Sequence, residues 1–149
     1  ELGRLALQYW DLCGRPTSDL PQQARSLIEQ ALTDAWLPEG GFAYTLNFDG
    51  SIADGSRFWW PVTEAIGAVA TLIALDQRAE DEAWYRKLWL FAHEHLIDHK
   101  NGGWFPAIDE NGAPTSSIFE GKPDIYHALQ ACLFPLSGRL SRMAQNAFV

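Results

Sequence analysis

The sequence predicts an all-α fold, a closed ring of helical pairs with long loops on one rim, and three observations point to it. Apolar residues recur at three- and four-residue spacing over most of the 149 residues, the period of an amphipathic helix. Gly40, Gly41, Gly50 and Pro61 return as Gly102, Gly103, Gly112 and Pro123 at a constant offset of 62, and Phe42 is answered by Trp104. The same order is therefore used twice: helix, Gly-Gly, aromatic, hairpin, Pro-started helix. A repeat of two helices plus a hairpin is longer than the familiar solenoid units, which favours a toroid.

A first helix is expected through about residue 12, with Leu2, Leu5 and Tyr9 on one stripe. No Met or capping residue precedes it, so the chain reads as a fragment that starts part-way through a helix. After Pro16, residues 21–36 carry Ala24, Leu27, Ile28, Ala31 and Leu32 at helical spacing, and Gly40-Gly41 stops that helix. Residues 42–50 read as a β-hairpin with Asp49-Gly50 as turn signal. A long helix follows from Pro61 to about Gln77, then another over residues 79–97 with Trp84, Leu88, Phe91 and His95 on one face. Gly102-Gly103 ends it, residues 104–112 form a second hairpin or extended loop, the helix carrying His127 follows, and a short helix over 137–147 closes the chain.

The length fits one ordinary domain, 1–149. Seven Trp, eight Phe and four Tyr either fill a core between helices or line a pocket that stacks on flat ligand faces such as those of sugars. A formal charge of −8 with no basic stripe argues against nucleic acid. No apolar run is long enough to span a bilayer, so no membrane partner is expected. Cys13 and Cys132 are too few for a disulfide framework and lack metal-ligand spacing, which favours a reducing, cytoplasmic setting.

His127 lies in the first turns of the helix behind Pro123. The positive end of a helix favours an uncharged imidazole able to accept a proton, as abstraction next to a carbonyl requires. A hydrogen-bonded core histidine is the competing reading. Pro61 and Pro123 begin equivalent helices, so Glu64 and His127 should emerge one turn in, at the same rim, which is the expected site. Trp60 and Glu64, four apart, share a helix face and set an aromatic platform beside a carboxylate. Sugars are held by that pairing, although a core Trp and a dipole-favoured Glu share the pattern. Lys122 and Asp124 flank Pro123 and either hold ligand hydroxyls or cap the helix, capping being favoured for Asp124.

His93, Glu94, His95 and His99 offer metal-ligand chemistry. On a helix, though, only His95 and His99 share a face, and no third ligand is spaced for them, so no metal is expected. A pair of carboxylates could serve glycoside hydrolysis, and a helical-repeat binding module without catalysis is a further alternative.

Three motifs then carry a family resemblance: Arg57-Phe-Trp-Trp-Pro-x-x-Glu64, His95-Leu-Ile-Asp98 with Gly102-Gly-Trp-Phe, and Gly121-Lys-Pro-Asp-x-Tyr-His127. In this order they resemble the N-acylglucosamine 2-epimerase superfamily, which includes aldose–ketose isomerases acting on mannose and on sulfoquinovose. The resemblance implies an (α/α)6 barrel of which residues 1–149 are the C-terminal part. It also implies a mannose/fructose-type isomerase working by histidine-mediated proton transfer through a cis-enediol, with 2-epimerisation as the alternative. Glu1-Leu2-Gly3-Arg4-Leu5 resembles the tail of a His-x-x-Glu motif whose histidine would precede this chain. Catalytic roles then fall to His127 and Glu1, and substrate binding to Arg57, Trp60, Glu64 and Asp124. Tyr126-His127-Ala128-Leu129-Gln130 is similar to the isomerase branch. The substrate implied is a monosaccharide, and no cofactor is expected, because the proton returns to the same substrate skeleton. Half a barrel exposes apolar faces, so the isolated fragment is expected to be inactive and either to self-associate, a homodimer included, or to be part of a longer protein.

Overall fold

The computed structural model of the chain describes residues 1–140, within which five α-helices are joined by short strands and turns. Helix α1 (Leu2–Leu12) pairs with α2 (Leu20–Ala35), α3 (Trp59–Asp76) pairs with α4 (Ala79–Phe91), and α5 (Ile125–Ser137) lies along α3. The α3 sequence is apolar on every side, which a helix tolerates only when it is enclosed. It packs against all four other helices, and Val62, Ile66, Val69 and Leu72 are fully shielded from solvent. Among the described residues no helix is long and apolar enough to cross a membrane.

Two helix starts differ from the expectation drawn from the prolines. α3 begins at Trp59, so Pro61 sits inside its first turn, where a missing N–H leaves no bond unmade. α5 begins two residues after Pro123, with Asp124 as its N-cap. The buried face of α1 is also not the apolar stripe. Leu2, Leu5 and Tyr9 are 70%, 45% and 64% exposed, whereas Gly3, Arg4, Leu7 and Asp11 are buried. Gly3 decides this: a Cβ there would stand 2.6 Å from the Ala24 carbonyl oxygen and from Ile28, so α1 meets α2 through its glycine and turns Arg4 inward with it. The helix expected over 79–97 is α-helical only to Phe91. Ala92–Leu96 form a π-helical turn closed by the Ile97 N–H on the Ala92 carbonyl at 2.8 Å. α5 runs to Ser137 and ends at Gly138, and most of the short helix expected over 137–147 lies outside the described residues.

Strands β1 (Thr45–Leu46) and β2 (Ile52–Asp54) form one antiparallel pair. Strands β3 (Arg57–Phe58), β4 (Ala107–Ile108) and β5 (Pro114–Thr115) form a second sheet with β4 central. Both hairpins continue past their glycine turns, and the second recruits the residues that lead into α3. Pairing of Arg57 with Ile108 and of Phe58 with Ala107 thus fixes where Trp59 and Trp60 begin their helix.

The internal repeat is present in the backbone. Gly40, Gly41 and Gly50, like Gly102, Gly103 and Gly112, all have φ between 75° and 87°, a region open to glycine at little cost. The hairpin turns close alike, Asn47 N–H on Ser51 O and Asp109 N–H on Ala113 O, both at 2.8 Å. Ahead of the glycine pairs the offset drops to 61, since Trp36 bridges Phe42 while Ile97 bridges Trp104. The second loop therefore holds one extra residue. Its Gly102 N–H reaches back four residues to the Asp98 carbonyl, whereas the Gly40 N–H reaches back three to Leu37. The Asp98 carboxylate occupies the wider turn and accepts the N–H groups of Lys100 (3.0 Å) and Asn101 (2.9 Å), the Asn101 side-chain amide (3.0 Å) and the Lys122 ammonium.

Those bonds, led by Lys122 and the Asn101 amides and opposed only by burial, hold the Asp98 carboxyl well below the usual carboxylate range. A depressed folded-state value means that stability is fully present above the unfolded carboxylate value of about 3.9 and is lost as pH falls below it. Chemical denaturation of the wild type and of Asp98→Asn should therefore show a gap at pH 6 that narrows steadily as the pH is lowered below about 4.

Candidate active site

His127 is the third residue of α5, set there by the Asp124 side chain, which accepts the Tyr126 N–H at 2.9 Å and so begins the helix. Glu64 is the sixth residue of α3 and only 6% exposed. The two meet: His127 Nδ1 and Glu64 Oε1 are 2.9 Å apart. On the other side of the carboxylate, Arg4 of α1 donates from Nη2 to Glu64 Oε2 at 2.8 Å. A chain of three side chains thus links three helices.

Burial alone would push the Glu64 carboxyl up, but hydrogen bonds and charge from Arg4 and His127 outweigh it and hold it below its ordinary value. An ionised carboxylate can only accept, so Nδ1 carries a proton in this pair, and in the uncharged ring the lone pair is then on Nε2. Glu64 thus selects the tautomer of the uncharged ring and leaves Nε2 as its accepting nitrogen.

Aromatic rings enclose His127. Trp60 lies 6.1 Å away at a tilt of 38°, while Trp59 at 6.2 Å and Tyr126 at 4.9 Å stand edge-on. Tyr44 stands edge-on to Trp60 at 6.1 Å. The imidazole remains 24% exposed. Trp60 and Glu64 also line an open cleft of about 300 Å³, together with Glu1, Phe42, Tyr44 and Ile28. His127 touches both of those residues but stands outside the cleft wall.

The remaining expected site residues are placed differently. Arg57 is buried, and its guanidinium donates to the Gly40 carbonyl at 3.2 Å and to the Asp109 carbonyl, so it ties the first Gly-Gly loop to the second hairpin. Asp124 is engaged as the α5 cap. Glu1 is exposed, makes no side-chain cap to α1, and borders the cleft. Lys122 pairs with Asp98 and lies 4.6 Å over the Phe105 ring, anchoring the segment that enters α5.

His95 and His99 do not share a face as expected, because the π-turn and the extended backbone at Ile97 separate them. His99 instead meets the His93 ring at 4.4 Å, and His95 Nδ1 lies 3.1 Å from the Gly112 carbonyl oxygen. Among the described residues no three His, Cys, Asp or Glu side chains converge as a metal site requires. Arg4 is the member of the site that periodicity misses, since a charged residue between Gly3 and Leu5 reads as solvent-facing. Its one signal is position, three residues after Glu1 in the motif that resembles a catalytic helix.

A family model described as N-acylglucosamine 2-epimerase (GlcNAc 2-epimerase) matches residues 1–131. The chain is 39% identical over 142 residues to the D-mannose isomerase of Thermobifida fusca, covering 91% of this chain and 34% of that protein. To the D-mannose isomerase of Pseudomonas cannabina pv. alisalensis it is 36% identical over 126 residues, 83% of this chain and 30% of the relative. A crystal structure of D-mannose isomerase superposes with a TM-score of 0.81 at 27% identity, covering 92% of this chain and 35% of that one. Cellobiose 2-epimerase from Spirochaeta thermophila DSM 6192 gives 0.70 at 25% identity, over 87% and 33% of the two chains. The chain spans about a third of the length of the relatives it matches.

Proposed function

Since this chain belongs to the N-acylglucosamine 2-epimerase family, we propose that it is the C-terminal part of an (α/α)6-barrel sugar isomerase that interconverts aldose and ketose of the mannose/fructose type. The observation that carries the reading is the Glu64–His127 contact beside Trp60, which supplies a base of fixed tautomer next to a surface that can stack on a sugar. The ring-opened aldose loses its C2 proton to an imidazole and becomes a cis-enediol. Return of the proton to C1 gives the ketose, and return to the opposite face of C2 gives the epimer. His127 is one acid–base group, and the second comes from the helix motif to which Glu1 belongs. Trp60 forms the stacking wall. The proton returns to the same carbon skeleton, so no redox partner enters the balance.

Similarity to D-mannose isomerases supports the ketose-forming outcome, and similarity to a cellobiose 2-epimerase supports epimerisation on the same intermediate. Hydrolysis by Glu64 and Asp124 is disfavoured, because one carboxylate is committed to Arg4 and His127 and the other to a helix cap. Exposed free thiols at Cys13 and Cys132 support a reducing, cytoplasmic setting, and the apolar stripe exposed on α1 fits association with further polypeptide, a homodimer included.

The test is incubation of the whole protein with D-mannose in deuterium oxide. Fructose carrying deuterium at C1 is the expected product. Release of monosaccharide from a disaccharide without interconversion, or no reaction of mannose at all, overturns the reading.

A further inference from the structure

The ion pair between Arg4 and Glu64 is buried on both sides, at 3% and 6% exposure of the two side chains. Removing two charges from water offsets most of what their attraction returns, so such a pair contributes little stability over apolar residues of the same size. Its geometry, however, is directed. The guanidinium lies 4.8 Å over the Phe134 ring of α5, and Gly67 of α3 opens the room for it: a Cβ there would stand 3.6 Å from Arg4 Cδ and 3.1 Å from the Phe134 ring. Held in this slot, Arg4 meets only one oxygen of Glu64 and leaves the other to His127.

We propose that Arg4 is a positioning residue for proton transfer, which fixes the Glu64 rotamer and balances its charge so that Oε1 holds His127 Nδ1–H and Nε2 stays the basic nitrogen. This rests on the function proposed above but adds a residue and a route to it. Without Arg4, Glu64 is a buried carboxylate with the imidazole as its one remaining partner. It then either turns away, and Nδ1–H loses its acceptor, or takes up a proton itself, and the neutral carboxyl becomes a weaker acceptor whose O–H can donate to Nδ1 instead. The proposed effect runs through Glu64, and the Glu64→Gln background separates it from the contact that Arg4 makes with Phe134 of α5.

The experiment is a double-mutant cycle in the whole protein with Arg4→Met, Glu64→Gln and the pair, read as kcat and KM on D-mannose, with nitrogen NMR of the His127 ring. Arg4→Met should lower kcat by about 10- to 100-fold, as loss of groups that orient a functional side chain does, and leave KM nearly unchanged. In the Glu64→Gln background it should cost nothing further. The Nδ1–H form should dominate in the wild type and give way to a tautomer mixture in Arg4→Met. Additive losses, a rise in KM at constant kcat, or an unchanged tautomer overturn the proposal. If Arg4→Met alone does not fold, Arg4→Met/Glu64→Gln, which buries no charge at either position, still answers by comparison with Glu64→Gln. A wild type that does not convert mannose refutes the isomerase reading instead, and the ring signals then decide the role of Arg4 independently.

Discussion

If the proposed function holds, His127→Ala in the whole protein is expected to lower turnover of mannose by roughly 10²–10⁴-fold, the contribution of a well-placed general base. The substitution removes the nitrogen proposed to take the C2 proton, and His127 is not among the residues lining the cleft. Trp59 and Trp60 are held by their own packing in α3, and the imidazole, one-quarter exposed, is no part of the central core. Loss of activity should therefore come with an unchanged circular dichroism spectrum and little change in KM. Near-normal kcat in a folded His127→Ala protein would remove His127 from the chemistry and leave the site as a sugar-binding surface at most.

The largest effect on stability is expected at Arg25, which is not among the residues lining the cleft. Its side chain is 2% exposed and forms a two-point contact with Asp81 at 3.0 and 2.9 Å, a bond to Glu29 at 3.0 Å and another to Asp76. The cluster joins α2 to the α3–α4 junction. Arg25→Met strips the counter-charge from Asp81, which is itself 4% exposed, and should destabilise by about 3–5 kcal/mol, the cost of an uncompensated buried charge. Against a total stability of about 5–15 kcal/mol that is enough to shift the denaturation midpoint severely. Glu29 and Asp76 are half exposed and can turn to water, and Asp76 keeps Arg78 at 2.9 Å. The burden therefore falls on Asp81. Arg25→Met with Asp81→Leu should recover most of the loss in urea denaturation, because both charges leave together. A double variant as unstable as the single one would show that the cluster contributes something other than charge pairing.

Local signals made much of this legible before any coordinates. The glycine pairs, the Asp-Gly turn and the helical spacing located α2, α3 and the two hairpins, and the 62-residue offset placed Glu64 and His127 at one end of neighbouring helices. The sequence was silent where packing outweighs periodicity. On α1 the tight approach at Gly3 selected the face with Arg4 over the face with Leu2, Leu5 and Tyr9. At the end of α4 a π-turn shifted the register by one residue, so a face drawn by α-helical spacing paired His99 with His95, whereas its ring meets His93. Arg57 was expected to bind substrate from the family resemblance, and its bonds to two loop carbonyls, set by the β3–β4 pairing, had no signal in the sequence. None of these three outcomes is set within a short window of chain, and each needs the partner element.

The single residue by which the second Gly-Gly loop exceeds the first has a consequence of its own. The two copies differ there: Asp98 stands where the first copy has Leu37, and in the wider turn its carboxylate takes hold of Lys122 just ahead of α5. Transplanting the shorter loop into the second module should keep its hairpin while unfastening that strap, whereas the reverse exchange should be nearly silent.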